Sequence, residues 1–352
     1  MTLFNLPSKL FIGLCIVVAG CGKSSTSIQV LQPADITLPD HIQKVVIMNR
    51  TYPEKGSKGW NIMEGILTGE GIGTDRRASE DCLSGLVDIM KQSPRFQLVR
   101  PPLKNMEGTG TGQFPTPLQW GVIENLCNLQ QADALILLEA FDSDSRLDFT
   151  PGTRTARTPE GTNIEVPIVN ANMRMNITNG WRIYDPKTKQ IIDENRSDDF
   201  LNFGGSGDNQ AQAVSKIPSR MEALSKVGYH AGQRYGRRIS PMWINVSRMY
   251  YKKGNGWMEQ AARKAETRDW KGAAEMWKKE ALNTDKTIAG RACYNMAVAS
   301  EVEGKLDIAV KWAQDSYTKF GNKKARGFAN VLQQRIQDNE KVKMQMRSME
   351  QK

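Results

Sequence analysis

The sequence predicts two folded regions of different class: an α/β or α+β domain, built on a mixed sheet with packed helices, and then an all-α domain of helical repeats. Three observations lead to this prediction. The chain has 352 residues, enough for about two domains. Short apolar runs alternate with amphipathic helical patterns as far as residue 240. Beyond that point the strand-like alternation disappears, and five of the eight tryptophans follow.

Residues 1–20 have the pattern of a signal peptide. Lys9 precedes an apolar run, Leu10 to Val18, that is too short to span a bilayer as a helix. The run ends in Val18-Ala19-Gly20-Cys21. This ending resembles the lipobox of bacterial lipoproteins, which implies cleavage before Cys21 and lipidation of Cys21. More than one acyl chain makes such an attachment stable. An ordinary signal peptide with an incidental cysteine is the alternative.

Residues 21–40 are predicted to be a tether, polar at first and then extended around Pro33 and Pro39. The rules of lipoprotein sorting imply that this tether starts at the outer membrane. No aspartate follows Cys21, which argues against retention in the inner membrane, and the absence of an acidic run over Gly22 to Ser27 favours an anchor that faces the periplasm.

Three cysteines remain after the predicted processing: Cys82, Cys127 and Cys293. Their odd number and wide spacing indicate neither a zinc site nor a full disulfide framework. We interpret them as small core residues, and a Cys82–Cys127 bridge in an oxidising periplasm remains an alternative.

The α/β domain is predicted over 41–240, in the order β-α-β-α-β-β-β-α. The pattern predicts buried strands where apolar residues run continuously and a half-buried strand where they alternate. The expected elements are strands near 45–48, 96–99, 134–140, 172–184 and 189–201, helices near 75–92, 117–131 and 208–237, and a glycine-rich loop over 56–74.

This order resembles the small α/β domain that is shared by the periplasmic part of the curli secretion channel, the TolB N-terminal domain and penicillin-binding-protein activator lipoproteins. The resemblance covers roughly 40–240 and includes no catalytic motif. The residues that carry it are Lys44–Asn49, Arg95–Val99, Ala132–Ile136 and Trp181–Pro186.

The second domain is predicted over 241–352, starting after Ser240-Pro241. Four pairs of positions match at an offset of 35 residues: Ala262 with Ala297, Ala274 with Ala309, Trp277 with Trp312, and Ala281 with Ser316. The spacing resembles the tetratricopeptide repeat, a helix–turn–helix unit of about 34 residues. Two repeats need caps, which we expect at 243–252 and in a helix from about 322. A plain helical bundle is the alternative.

The sequence contains no recognisable enzyme motif, neither GxSxG nor HExxH. His41 and His230 are the only histidines, and both are expected to be surface or capped residues. We therefore predict a protein that is not an enzyme and that holds no metal and no cofactor.

The excess of positive charge lies on the second domain. Residues 241–352 hold 22 basic and 13 acidic residues, whereas residues 1–240 are near neutral. Such a surface could bind lipid phosphates, lipopolysaccharide or an acidic protein; a merely soluble basic face is the alternative. Nucleic acid is not expected as a partner of an exported chain.

The leading hypothesis is a membrane-anchored periplasmic lipoprotein that serves as a non-enzymatic scaffold or protein-interaction module. The chain resembles an uncharacterised family of Bacteroidota outer-membrane lipoproteins of this layout. If the repeats bind as their family does, the first helices would contact the partner through Glu259, Arg263, Arg291, Tyr294 and Glu301. The alternatives are an oligomeric secretion or assembly accessory, like the curli channel, and an enzyme acting on cell-wall or glycan material.

Overall fold

The structure, a computed structural model, describes residues 22–53, 72–101 and 106–350. The predicted signal peptide and Cys21 lie outside the described residues, as does most of the predicted loop over 56–74. The chain divides into two compact units. The helical unit comprises residues up to Gln29 together with Asn245–Gln337, and the α/β unit comprises Val30–Ile244 and Asp338–Lys352.

The elements of the described chain are numbered in order along the sequence. The strands are β1 (Lys23–Gln32), β2 (Lys44–Asn49), β3 (Tyr52–Pro53), β4 (Gln97–Val99), β5 (Glu107–Gly108), β6 (Ala134–Arg157), β7 (Asn163–Asp185), β8 (Gln190–Gly207) and β9 (Met242–Tyr251). The helices are α1 (Ile72–Met90), α2 (Trp120–Gln130), α3 (Gln210–Val214), α4 (Arg220–Ile239), α5 (Gly256–Glu266), α6 (Trp270–Glu280), α7 (Lys286–Val302), α8 (Leu306–Thr318) and α9 (Lys323–Glu350).

A mixed five-stranded sheet organises the α/β unit, with the strand order β4-β2-β6-β7-β8. β2 is parallel to β4 and β6, because helical crossovers connect these strands, whereas β6, β7 and β8 form an antiparallel meander. One face of the sheet packs with α1 and α4 around the main core, and the other face packs with α2. The predicted mixed sheet with packed helices is confirmed.

The helices α1 and α4 pack with their backbones in contact. Gly228, Gly232 and Gly236 recur every fourth residue of α4, so they lie on one face of the helix. A Cβ atom at Gly232 would lie 1.7 Å from the carbonyl oxygen of Cys82, and one at Gly85 would lie 2.0 Å from that of Tyr229. Glycine is therefore required on both helices.

The meander is longer than the apolar pattern predicts. β6 continues from the expected strand at 134–140 to Arg157, and its outer part alternates between exposed and half-buried side chains. Without a buried face, this part has no apolar alternation to mark it. The helix expected over 208–237 is instead α3 and α4, because Pro218 lacks an amide hydrogen and Ser219 begins α4 through a reciprocal capping pair with Glu222.

Two expectations about segments outside the main elements are corrected. The expected tether over 21–40 contains β1, and residues 243–252, expected to be a cap within the helical domain, form the strand β9. The two strands pair in a sheet of their own. The segment of β9 is rich in β-branched and aromatic side chains, which favour a strand over a helix.

The rest of the helical unit consists of helices packed in sequence, so the predicted helical C-terminal region is confirmed. Ala262 and Ala297, which match at the offset of 35, are both fully buried, and Trp277 is the largest side chain of this core. The tetratricopeptide identity of the helices stays a prediction. None of the helices in the described ranges has both the length and the apolar composition of a membrane-spanning helix.

Candidate functional site

The five residues predicted to bind a partner do not form one accessible surface. Glu259 and Arg263 of α5 are exposed, and Arg291 of α7 is half-buried. Tyr294 and Glu301 of α7 are only 6% and 1% exposed, so they cannot contact an external partner. The prediction is therefore wrong for these two residues.

The reason is that β9 covers α7. The side-chain amide of Asn295 accepts a hydrogen bond from the backbone N–H of Tyr251 and donates one to its carbonyl oxygen, both at 2.7 Å. The Tyr251 ring packs edge-on against Tyr294 at 5.4 Å. The guanidinium of Arg291 donates to the carbonyl of Lys253 at 3.0 Å. Most of the face predicted to receive a foreign partner is thus occupied by a strand of the same unit.

Glu301 anchors this arrangement through two arginines. Its carboxylate accepts two hydrogen bonds from Arg248 of β9, at 2.8 and 3.0 Å. It also forms an ion pair with Arg335 of α9. The carboxylate is fully buried, whereas the two arginine side chains are 14% and 16% exposed. Glu301 is therefore a structural residue that joins β9, α7 and α9.

The outer side of β8 is the clearest unoccupied binding feature of the α/β unit. β8 ends the sheet order, so no strand of the described chain lies on that side. Its first half carries several charges, but Phe200–Gly207 carries none; we call this segment the open edge. The Phe200 side chain is 49% exposed.

Edge strands of natural proteins are usually protected from pairing by charges or proline. The outer part of β6, on the opposite side of the meander, has this protection; its charged and proline residues are Asp142, Asp144, Arg146, Asp148, Pro151, Arg154 and Arg157. The open edge of β8 has neither charged residues nor proline, and no strand of the described chain pairs with it.

Sequence reasoning missed the open edge because its glycines resemble a loop. Glycine is present at 205 and 207 because the chain of the neighbouring helix α3 packs too closely for a side chain. A Cβ at Gly205 would lie 2.4 Å from the carbonyl oxygen of Ala213, and one at Gly207 would lie 2.5 Å from the Gln212 side chain. The available signal is the uncharged run that follows the charged residues 193–199.

A second buried ionic group lies at a bulge of β6, centred on Glu139. Its carboxylate accepts from Arg50 at 3.1 Å, from Arg182 at 2.5 Å and from the Tyr184 hydroxyl at 2.8 Å. Burial and the Glu139 charge raise the pKa of Tyr184 to about 12. Glu139 is therefore surrounded by donors that cannot reach an external ligand.

The two arginines of this group also hold the segment before α2. Arg182 donates to the carbonyl of Pro115 and Arg50 to that of Thr116, each at 2.8 Å. The Arg182 guanidinium lies over the Phe114 ring, 4.4 Å from its centre. This network fastens the segment before α2 to the sheet.

A cavity of about 370 Å³ lies beside His41; its lining residues are His41, Glu124, Asn128, Ala132, Asp133, Pro186 and Lys187. His41 Nε2 lies 3.1 Å from a carboxylate oxygen of Asp185, which the Thr188 hydroxyl also contacts at 2.7 Å. Burial opposes ionisation of Asp185, but the hydrogen bonds from Thr188 and His41 outweigh it and lower its pKa.

The carboxylates around this cavity serve the backbone. Asp133 accepts from the amides of Gln43 and Lys44 at 2.9 and 2.8 Å, and Asp185 accepts from that of Lys187 at 3.0 Å. None of the lining residues is a serine or cysteine nucleophile. His41 is therefore paired with a turn aspartate, in agreement with its interpretation as a capped residue.

The cysteines Cys82, Cys127 and Cys293 are buried and unbonded, so the interpretation as core residues is confirmed and no Cys82–Cys127 bridge is present. Burial raises the pKa of Cys127 and of Cys293 to about 11, which keeps both thiols protonated and unreactive. Within the described ranges, no group of three or more histidine, cysteine or acidic side chains is arranged to hold a metal ion.

Comparison with solved structures finds distant likenesses. The PelC dodecamer from Paraburkholderia phytofirmans is 11% identical, with 61% of this chain and 99% of that chain covered and a TM-score of 0.22. The protein CT253 from Chlamydia trachomatis is 14% identical, with 55% and 96% covered and a TM-score of 0.22. A "putative lipoprotein" from Caulobacter crescentus CB15 is 13% identical, with 34% and 80% covered and a TM-score of 0.15. No curated protein matches the sequence.

Two protein families match successive parts of the chain. The family described as Domain of unknown function (DUF6340) matches residues 259–348, which lie within the predicted helical domain. The other match covers residues 42–251, more than half of the chain, and includes the whole central sheet with its helices. The chain therefore belongs to the family described as Domain of unknown function (DUF8603).

Proposed function

We propose that the chain is a lipid-anchored scaffold of the cell envelope, without enzymatic activity, that binds a protein partner by strand addition. Cys21 would carry the lipid and hold the chain to the outer membrane on its periplasmic side, as in the Bacteroidota lipoproteins that the sequence resembles. The observation that carries the proposal is the open edge of β8, Phe200–Gly207, which lacks the protection found on β6.

Strand addition explains how such an edge binds. A peptide in extended conformation adds to the sheet through main-chain hydrogen bonds, while its alternate side chains select the partner. The exposed Phe200 side chain offers an apolar contact beside the backbone groups. The partner is therefore expected to be an envelope protein that contributes an extended segment.

Two lysines on the open edge should abolish this interaction. The double variant Asn202→Lys, Ser206→Lys adds charge at two exposed positions of β8, and lysines on an edge oppose the approach of another strand. We expect the partner recovered with the tagged full-length protein, after crosslinking in intact envelopes, to fall to the background level. The measurement is quantitative mass spectrometry of the recovered proteins.

The matched control is the double variant Asn125→Lys, Asn128→Lys, which adds the same charge at exposed positions of α2 and leaves the open edge unchanged. It should recover the partner as the wild type does. Unchanged recovery with the edge variant, or equal loss with the α2 variant, would contradict binding at the open edge.

A second candidate function is an oligomeric secretion or assembly accessory. It rests on the two edges of the meander that pair with no strand of the described chain, the open edge of β8 and the outer part of β6, although the charges and Pro151 of β6 disfavour pairing there. Head-to-tail pairing of unlike edges generates rings. Light scattering of the delipidated protein separates the candidates: a ring-sized particle that the edge lysines dissociate supports the ring, and a monomer supports the scaffold.

The lipid anchor has its own test. We expect Cys21→Ala to move the protein from the membrane fraction to the periplasmic fraction, because the acyl chains provide the attachment. Cys15→Ala is the control, since this cysteine lies in the predicted signal peptide and leaves with it. A Cys21→Ala protein that stays in the outer-membrane fraction would refute the anchor.

A further inference from the structure

The described part of the chain begins immediately after the predicted lipidation site. The carbonyl oxygen of Gly22 accepts a hydrogen bond from the backbone amide of Lys252 at 3.0 Å, and β1 starts at the next residue. Both residues belong to the helical unit. Consecutive Cα atoms are about 3.8 Å apart, so a lipid on Cys21 would be attached next to this unit, with no intervening tether.

The residues around Gly22 are basic, and an exposed tryptophan follows Lys253 along the chain. The Lys253 side chain lies against Gly22, with its Cδ 3.6 Å from the position of a Gly22 Cβ, and it is exposed. Lys23, the first residue of β1, is exposed as well. Trp257, in the first turn of α5, is 62% exposed although tryptophan is usually well buried.

The junction between α6 and α7 lies at the same end of the helical unit. The side-chain amides of Asn255, which begins α5, and of Asn283 both donate to the Glu280 carboxylate, at 2.6 and 2.9 Å. This pairing brings Leu282, 86% exposed, and the exposed Lys286 beside the start of α5.

The acidic residues at this end are Glu259, Glu280 and Asp285, and the last two are engaged in local structure. Glu280 is buried under the two asparagines, and Asp285 accepts from the backbone amides of Thr287 and Ile288 at the start of α7. The exposed lysines Lys23, Lys253 and Lys286 therefore outnumber the exposed acidic residues of this end, Glu259 and Asp285. We call this surface the anchor-side end; its residues are Lys23, Lys253, Trp257, Leu282 and Lys286.

We infer that the anchor-side end lies on the headgroups of anionic phospholipids. The inference rests on the proposed lipidation of Cys21, which would place the acyl chains next to it. Its composition is typical of a membrane interface, where tryptophan occupies the headgroup level and lysines attract anionic lipid. A protein partner would need acidic groups arranged around a small apolar patch. The bilayer needs no such arrangement, because the lipid on Cys21 would already hold it next to this surface.

The first test places an environment-sensitive dye on the lipidated full-length protein in vesicles of phosphatidylethanolamine and phosphatidylglycerol. The dye is attached through Leu282→Cys, or, as the matched control, through Ile308→Cys near the start of α8, away from the junction between α6 and α7. The three native cysteines are buried and should not react. We expect a blue shift and quenching by headgroup-labelled lipid at position 282 alone.

Equal signals at both positions, or no change at 282 in protein whose lipidation is confirmed by mass spectrometry, would overturn the inference. A blue shift at 282 without quenching by the labelled lipid would indicate a protein occupant and would overturn it too. Absence of lipid on Cys21 would instead refute the anchor, so the two failures are distinguishable.

The second test uses the unlipidated Cys21→Ala chain without its signal peptide, and measures cosedimentation with the same anionic vesicles. Reversal of Lys253 and Lys286 to glutamate should weaken binding at least about tenfold, because each lysine near an anionic surface strengthens binding several-fold. Reversal of Arg268 and Lys271, near the start of α6, changes the net charge equally and should have little effect. Equal weakening by both pairs would contradict a defined membrane-facing end.

Discussion

Replacing Glu139 by glutamine is expected to lower the free energy of unfolding of the α/β unit by about 3–5 kcal/mol, the usual cost of removing one partner from a buried ion pair. The side chains of Arg50 and Arg182 are only 10% and 5% exposed, so water cannot take over the role of the carboxylate. Tyr184 would lose a charged acceptor at the same time. The two buried arginines, which would share one carboxylate fewer, account for most of the expected effect.

A second carboxylate of the same sheet, that of Glu194, provides a control for this substitution. Arg182 forms a second ion pair with Glu194 at 2.6 Å, but the Glu194 side chain is 49% exposed. Glu194→Gln should cost no more than about 1 kcal/mol, because the Glu194 side chain is half-exposed and Arg182 keeps the buried Glu139. Denaturant unfolding and hydrogen exchange of the amides of β6 and β7 give both values. Similar costs for the two variants would show that burial does not decide the strength of this network.

The elements that the sequence predicts well are those that bury a continuous face. The run at 45–48 and the helical spacing of Cys82, Leu83 and Leu86 reflect the core directly, and these residues are buried as expected. The pattern is reliable there because the side chains that face the core recur with the period of the helix, or run continuously in a strand buried on both faces.

The elements that sequence reasoning missed are stabilised by contacts with residues that are distant in the sequence. The outer part of β6 is held by its register with β7, for example Arg146 opposite Arg174, rather than by a core. β9 depends on Asn295, which follows it by more than forty residues. Such long-range pairings leave no periodic trace in the segment itself, so its local composition suggested a tether or a cap.

The candidate site was also not predictable from local sequence patterns. The resemblance to tetratricopeptide repeats implied an open face on the first helices, and the residue types at Tyr294 and Glu301 suit such a face. What the repeat pattern does not contain is the strand that occupies it. Conversely, the open edge became visible only when the strand order placed β8 at the end of the sheet.

Replacing Glu301 by glutamine is expected to lower the free energy of unfolding of the helical unit by about 3–5 kcal/mol, for the same reason as at Glu139. Arg248 and Arg335 would both lose their charged partner in a nearly dry environment. The effect should be concentrated where β9 crosses α7. We expect the backbone amide of Tyr251, which donates to Asn295, to exchange its hydrogen faster in the variant.

Glu303→Gln is the matched control, because Glu303 lies on the same unit and pairs with Lys305 at 2.8 Å through side chains that are 32% and 59% exposed. It should change stability by no more than about 1 kcal/mol and leave exchange at Tyr251 unchanged. If Glu301→Gln also left that exchange unchanged, β9 would be held by the Asn295 amide and the tyrosine packing alone. Faster exchange would instead identify the buried carboxylate as the group that keeps the first-helix face occupied by the chain's own strand.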